Sequence, residues 1–241
     1  TCALPIYITP EWTNFRYIGS PFKINRYAGV ERSLKFNLKF ATSLRFVSKT
    51  QYINLANIIK PDQEICIAPI PVFLNKLEIP FYFKHRPMAL GVLGRVEEER
   101  GFSNLISFLT LFAKNNAPRI FIAGTGSRQN ELVDFIKLNN LENQVIFLGF
   151  IPQKEIEKFW KSIGVLLNFA PTESYGLSMR ESLIRGIPVI SSRNTGAMEI
   201  LNFCPNAHIK LVDEFNYGVL HELIDDMCRL ETTSEFRSGQ I

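Results

Sequence analysis

From position 88 onward one pattern repeats: a short apolar run, a glycine or polar corner, then apolar residues at helical spacing. The runs read as strands at 88–93, Arg119–Ala123, 145–148, 163–168 and 188–191, with a weaker one at 207–212. Helices are predicted at 101–115, 128–139, 153–161, from the corner after 168 to Arg185, at 197–203 and at 217–230. Strands that alternate singly with helices build a parallel sheet, because each parallel pair needs a crossover long enough to hold a helix. An all-helical or all-strand fold is excluded on that ground.

An earlier and less regular set of signals precedes it. Residues 4–8 form a short apolar run, and 9–29 show no clean period. Val30, Leu34, Leu38 and Ala41 recur at helical spacing, followed by a strand at 44–47, a helix near 49–59 and a strand at Glu64–Ile67. Pro69, Pro71, Pro80 and Pro87 then break any regular element. The expected organisation is an α/β unit over 1–75, a linker at 76–87 and a second α/β unit over 88–241, with His85 a solvated linker residue and a frayed polar end.

Composition narrows the function classes. The chain has 241 residues, 46% of them hydrophobic, enough for a sizeable core. A formal charge of +4 is modest and its basic residues are dispersed, so nucleic acid is not called for and local phosphate-binding cations account for the balance. Cys2, Cys66, Cys204 and Cys228 are scattered without a CxxC or a nearby histidine pair, which points to neither a zinc site nor a disulfide framework and fits a reducing cytoplasm. Cys66 lies in an apolar run and is expected in the core. No apolar run approaches the roughly 18 residues needed to cross a bilayer, and no signal peptide is visible.

The chemistry is concentrated at the corners. In an open parallel sheet, ligands bind beyond the carboxyl ends of the strands. That rule selects Gly94-Arg95, Gly124-Thr125-Gly126, the corner at 171–176, and Asn194-Thr195-Gly196. Arg95 and Arg100 are placed to reach a diphosphate, for which guanidinium forks suit bidentate contact; pairing with Glu97, Glu98 and Glu99 on a solvated surface is the plain alternative. The third glycine of GxGxxG would fall on Gln129, so the dinucleotide fingerprint fails, and no GxxxxGK[ST] occurs.

The densest corner is 168–189, where Glu173 and Glu181 flank a predicted helix start with seven residues between them. With Glu173 in the loop and Glu181 in the second turn, both can border the helix N-terminus, where free N–H groups and the helix dipole receive an anion. Hydroxyl acceptors beside an anion site suit a sugar nucleotide. A glycosidase acid and nucleophile would also need two carboxyl groups. Against that reading, an anion-favouring position is expected to lower the pKa of Glu181, which fits ionised hydroxyl acceptors better than an acid.

The segments GRVEEERG (94–101), AGTG (123–126), VIFLGFIPQKEI (145–156), PTESYGLSMRESLIRGIPVISS (171–192) and TGAMEI (195–200) resemble the donor-nucleotide domain of retaining GT-B glycosyltransferases, family 4, the glycosyl transferases group 1 domain. RFVSKTQ (45–51) and ICIAPIPV (65–72) look like the end of the acceptor-side domain. The resemblance implies two Rossmann-like domains, the first partial. It implies transfer of a sugar, with retention, from a nucleoside-diphosphate sugar to a saccharide or lipid-linked acceptor in cell-surface polysaccharide synthesis, in the cytoplasm and against the inner face of the membrane. It assigns Arg95 and Arg100 to the diphosphate, where the family usually has lysine at the latter. Glu173 would contact the transferred sugar, Glu181 the ribose, and the backbone of Tyr175, Gly176 and Leu177 the sugar and phosphate. Gly94, Gly124, Gly126, Thr195 and Gly196 would complete the donor site, with no metal or other cofactor required.

Departures from the family pattern carry their own expectations. A glycine-rich acceptor loop and an acceptor-side histidine have no match, the nearest segment being TPEW at 9–12. The 241-residue chain by itself is therefore expected to bind nucleotide weakly and to transfer little sugar. A sugar phosphorylase, a nucleotide-sugar epimerase and a non-catalytic nucleotide-sugar-binding domain stand as alternatives.

Overall fold

A computed structural model describes residues 43–56, 59–72, 87–112, 118–213 and 217–229. The elements expected at 4–8 and 30–41, and His85, lie outside the described residues. The described residues fall into two compact units, one holding 43–56, 59–71 and 172–175, the other the remainder.

In the first unit, β1 (Ser43–Phe46) and β2 (Glu64–Ile67) pair in parallel, with Ser43 opposite Glu64 and Phe46 opposite Ile67. The crossover contains α1 (Lys49–Leu55). Ser48 has extended φ and ψ and its hydroxyl accepts from the Gln51 N–H at 3.1 Å, which fixes where that helix begins. Leu44 and Phe46 are buried. Cys66, expected in the core, is exposed. Among the described residues β2 has β1 as its one strand partner, and Glu64, Cys66 and Ile67 all stay open to solvent.

The second unit is a six-stranded parallel sheet of β3 (Ala89–Leu93), β4 (Arg119–Ala123), β5 (Val145–Gly149), β6 (Val165–Asn168), β7 (Val189–Ser192) and β8 (Ile209–Val212), ordered β5-β4-β3-β6-β7-β8. Counted from β3, this is the 3-2-1-4-5-6 order of the doubly wound dinucleotide folds, whose crevice opens where the order reverses. Here that point lies between β3 and β6, paired through Leu90↔Val165 and Gly91↔Leu166. The crossover helices are α2 (Phe102–Phe112), α3 (Gln129–Leu138), α4 (Ile156–Ser162), α5 (Leu177–Ile184) and α6 (Thr195–Phe203), and α7 (Tyr217–Arg229) follows β8.

Strand periodicity sorts the core into two layers. Val165 and Leu167 face a cluster with Phe102, Phe108, Phe112, Leu132 and Ile224, while Leu166 faces one with Trp160, Met179, Leu183 and Ile200. Helix α2 supplies Phe102, Leu105, Phe108, Leu109 and Phe112 to the first layer, the three-and-four spacing of an amphipathic helix. Each such burial contributes about 1.5–3 kcal/mol.

The strand–helix alternation is as the sequence indicates, with two changes. The helix expected at 153–161 opens as a 3-10 turn, Gln153–Glu155, before α4. The residues expected to form a turn at 194–196 instead begin α6, capped by Asn194.

Candidate functional site

Glycines let the corners after β3 and β4 pack backbone to backbone. Gly124 has φ of +138°, and a Cβ there would lie 1.7 Å from the Gly94 carbonyl oxygen; one on Gly126 would lie 2.2 Å from that of Val96. The Val96 N–H donates to the Thr125 carbonyl and the Arg128 N–H to the Val96 carbonyl, at 3.0 and 3.1 Å. Glu97 accepts from both the N–H and the hydroxyl of Ser127, which together hold its carboxyl below the usual range. Packing therefore accounts for Gly124 and Gly126. Gly94 differs: it is exposed, and nothing lies within 4 Å of where its Cβ would be.

The crevice at the order reversal is held from its floor. Gly101, at φ +84°, would place a Cβ 2.0 Å from the Phe169 carbonyl oxygen, and the Asn104 side-chain amide donates to that oxygen at 3.3 Å. The rings of Phe108 and Phe169 stand 5.2 Å apart. The corner after β3 thus grips the first residue beyond β6.

Arg95, directly after β3, is exposed and pairs with Glu99 at 3.4 Å, with both side chains about half open to water. That contact matches the solvated reading of the arginine, and its exposure leaves it easily exchanged for a ligand. Arg100 closes the 3-10 turn Glu98–Arg100 and is half-buried. Arg128, not singled out from sequence, is committed to structure: its fork holds Glu131 at 2.6 and 2.7 Å, it reaches Glu98 at 3.0 Å, and it lies 4.5 Å above the Phe102 ring.

Glu173 lies in the loop before α5, where its Oε1 accepts from the N–H groups of Ser174 and Tyr175 at 3.0 and 3.3 Å. The Tyr175 hydroxyl, within the same unit, donates to the Ile70 carbonyl at 2.9 Å. Gly176 is the N-cap of α5 at φ +73°, and that helix has no side-chain cap hydrogen bond for its first N–H groups. Leu177, its first residue, is exposed.

Glu181 falls in the second turn of α5, as expected, but its pKa is raised rather than lowered. Burial is the largest cause and Glu157 adds to it, against the lowering effect of Arg185. Desolvation outweighs the favourable helix end. Arg185 is 3% exposed, forks onto Glu157, donates to the Glu181 carbonyl at 2.8 Å and stacks on Trp160.

Thr195 and Gly196 form the first turn of α6. Its cap, Asn194, is buried: Oδ1 accepts from the Ala197 N–H at 2.9 Å, and Nδ2 donates to the Ala170 carbonyl at 3.0 Å. An asparagine just before a helical run is an N-cap signal that would have found it. The Arg185–Glu157 pair joins residues far apart in sequence, with no local signal. Among the described residues no group of three or more His, Cys, Asp or Glu side chains is arranged to hold a metal, and no helix is long and apolar enough to cross a membrane.

The sheet order and its crevice are those of a doubly wound α/β unit. The model of the family described as "Glycosyl transferases group 1" matches residues 80–236, and the chain belongs to that family. Among curated relatives, it is 28% identical over 174 residues to 2-deoxystreptamine N-acetyl-D-glucosaminyltransferase of Niallia circulans, covering 67% of this chain and 45% of that protein. It is 29% identical over 138 residues to the O-antigen biosynthesis glycosyltransferase WclY of Escherichia coli, covering 55% and 38%. The chain thus spans less than half the length of either relative. Among solved structures, TarM superposes with a TM-score of 0.69 at 20% identity, over 88% of this chain and 43% of that one. Anabaena HepE in complex with UDP-glucose superposes with a TM-score of 0.65 at 17% identity, over 88% and 62%. The fold is that of GT-B glycosyltransferases.

Proposed function

We propose that the chain supplies the donor side of a retaining family 4 glycosyltransferase, which moves a sugar from a nucleoside-diphosphate sugar to a saccharide or lipid-linked acceptor in surface-glycan synthesis. One observation carries most of the weight. At the carboxyl edge of the sheet, α5 begins on a glycine, with no side-chain cap hydrogen bond. Such an end receives a phosphate through N–H donors and the helix dipole.

In this reading Arg95 exchanges Glu99 for the diphosphate, and Arg100 supports it. When the bond from the sugar's anomeric carbon to the diphosphate oxygen breaks, negative charge builds on the departing oxygen. In this reading the guanidinium groups, once turned onto the diphosphate, and the helix N–H donors stabilise that charge, and no metal ion is called on for it. Glu173 accepts from the transferred sugar's hydroxyls and Glu181 from the ribose. The open space at Gly94 admits the ligand where a side chain would intrude. The acceptor assignment, and placement in the cytoplasm against the membrane's inner face, rest on family resemblance.

A thermal-shift screen against UDP-, GDP-, ADP- and CMP-sugars tests the donor assignment, since a ligand bound only by the folded state raises its melting temperature. Stabilisation by at least one is expected; none by any of them overturns the reading. For the transfer itself, product formation by a longer version that includes the acceptor side, lost on Glu173→Ala, is the expected result, and a fully active variant removes Glu173 from the site.

A further inference from the structure

Glu199 belongs to the TGAMEI segment, yet it is a carboxylate to which the resemblance assigns no role. It lies in the second turn of α6, is 4% exposed, and its Oε2 has no hydrogen-bond partner. Arg193, which reaches Met198 of the same helix at 3.7 Å, is paired with Asp213 at 2.8 Å. Burying a carboxylate without donors is unfavourable, so an orphan of this kind marks a group whose partner arrives with a ligand.

Its position indicates which ligand. Side chains on a helix lean toward the N-terminus, so the Glu199 carboxylate points back toward the corner after β7. The next residue, Ile200, places its Cδ1 3.5 Å from where a Cβ on Gly176 would be, which brings this part of α6 beside the uncapped start of α5. Ser192, the last residue of β7 and the entry to the same corner, also has a buried hydroxyl without a partner.

We propose that Glu199 is a ligand-binding residue whose Oε2 accepts a hydrogen bond from a hydroxyl of the sugar nucleotide. This rests on the donor reading above and adds a third carboxylate to it. A carboxylate repels phosphate, so its partner is a neutral hydroxyl, on either the ribose or the transferred sugar.

The test compares the chain with its Glu199→Gln variant, which keeps the shape and removes the charge. Melting temperature is measured without ligand, and affinity by calorimetry for UDP and UDP-glucose, GDP and GDP-mannose, and ADP and ADP-glucose. The unliganded variant is expected to melt at or above the parent temperature, because no bond is lost and an unpaired buried charge is removed. Its affinity for the nucleotide sugar that binds the parent should fall at least tenfold. An equal fall for the matching free diphosphate assigns the ribose hydroxyl, and a fall confined to the sugar conjugate assigns the transferred sugar. A variant that melts several degrees lower shows a structural role and overturns the proposal, as does unchanged affinity. A parent that binds none of the six overturns the donor reading itself; a parent that binds while the variant binds equally well overturns Glu199 alone.

Discussion

The side-chain amide of Asn194 donates to the Ala170 carbonyl at 3.0 Å, tying the corner after β7 to the corner after β6. The same side chain caps α6 through Ala197. Asn194→Ala removes both bonds and leaves a carbonyl and a helix N–H unpaired, so it should cost about 1–3 kcal/mol in urea denaturation. Asn194→Asp is no rescue: it keeps the cap acceptor but sets a carboxylate against the Ala170 oxygen.

Gly101 and Gly149 separate backbone strain from collision. Both have positive φ, +84° and +62°, but a Cβ on Gly101 meets the Phe169 carbonyl while one on Gly149 meets nothing within 4 Å. Gly149→Ala should cost only the left-handed strain of about 1–2 kcal/mol. Gly101→Ala should cost distinctly more, because backbone must shift, and any nucleotide binding should weaken with it. Equal losses in chemical denaturation would show that the contact with Phe169 is easily relieved.

Removing Arg185 leaves Glu157 partly buried without its partner, and frees the Glu181 carbonyl and the Trp160 face. Arg185→Ala should destabilise by about 3 kcal/mol, toward the lower end for buried pairs because Glu157 keeps 25% of its side-chain surface. Arg185→Lys should recover only part, since an ammonium cannot reproduce the fork. A double-mutant cycle with Glu157→Ala should give a coupling energy clearly above the near-zero value typical of exposed pairs.

Glu181 makes stability depend on pH in a definite direction. Its folded-state pKa lies above the ordinary value, so the folded chain holds this proton more tightly than the unfolded chain does. Relative to Glu181→Gln, the parent should lose stability as pH rises from about 4.3 toward the raised value, then level off. The opposite slope in the difference between parent and variant would show that Arg185, not burial, dominates the site.

Legibility in the sequence followed the range of the forces involved. Period-two and period-3.6 patterning depends on near neighbours, so β3 to β8 and their helices could be read within a few residues of their ends. Glu173 in the loop and Glu181 in the second turn likewise follow from local spacing. Burial does not: Cys66 is apolar in context yet exposed, and Glu181 is polar yet desolvated enough to reverse its expected shift. Glu199 escaped notice because a glutamate in a helix reads as solvated until its neighbours are known.

The pairing of Leu90 with Val165 has a temporal consequence. During synthesis β3, β4 and β5 leave the ribosome first, yet the inner edge of β3 has no partner until most of a domain's worth of chain has followed. For that interval an apolar strand edge waits unpaired, and closing the loop that ends the wait carries an entropic cost before any contact offsets it. The place where a ligand would later enter is therefore also the seam of the sheet whose partners lie farthest apart in the chain, and the point at which a slow-growing chain is most exposed to pairing with the wrong strand.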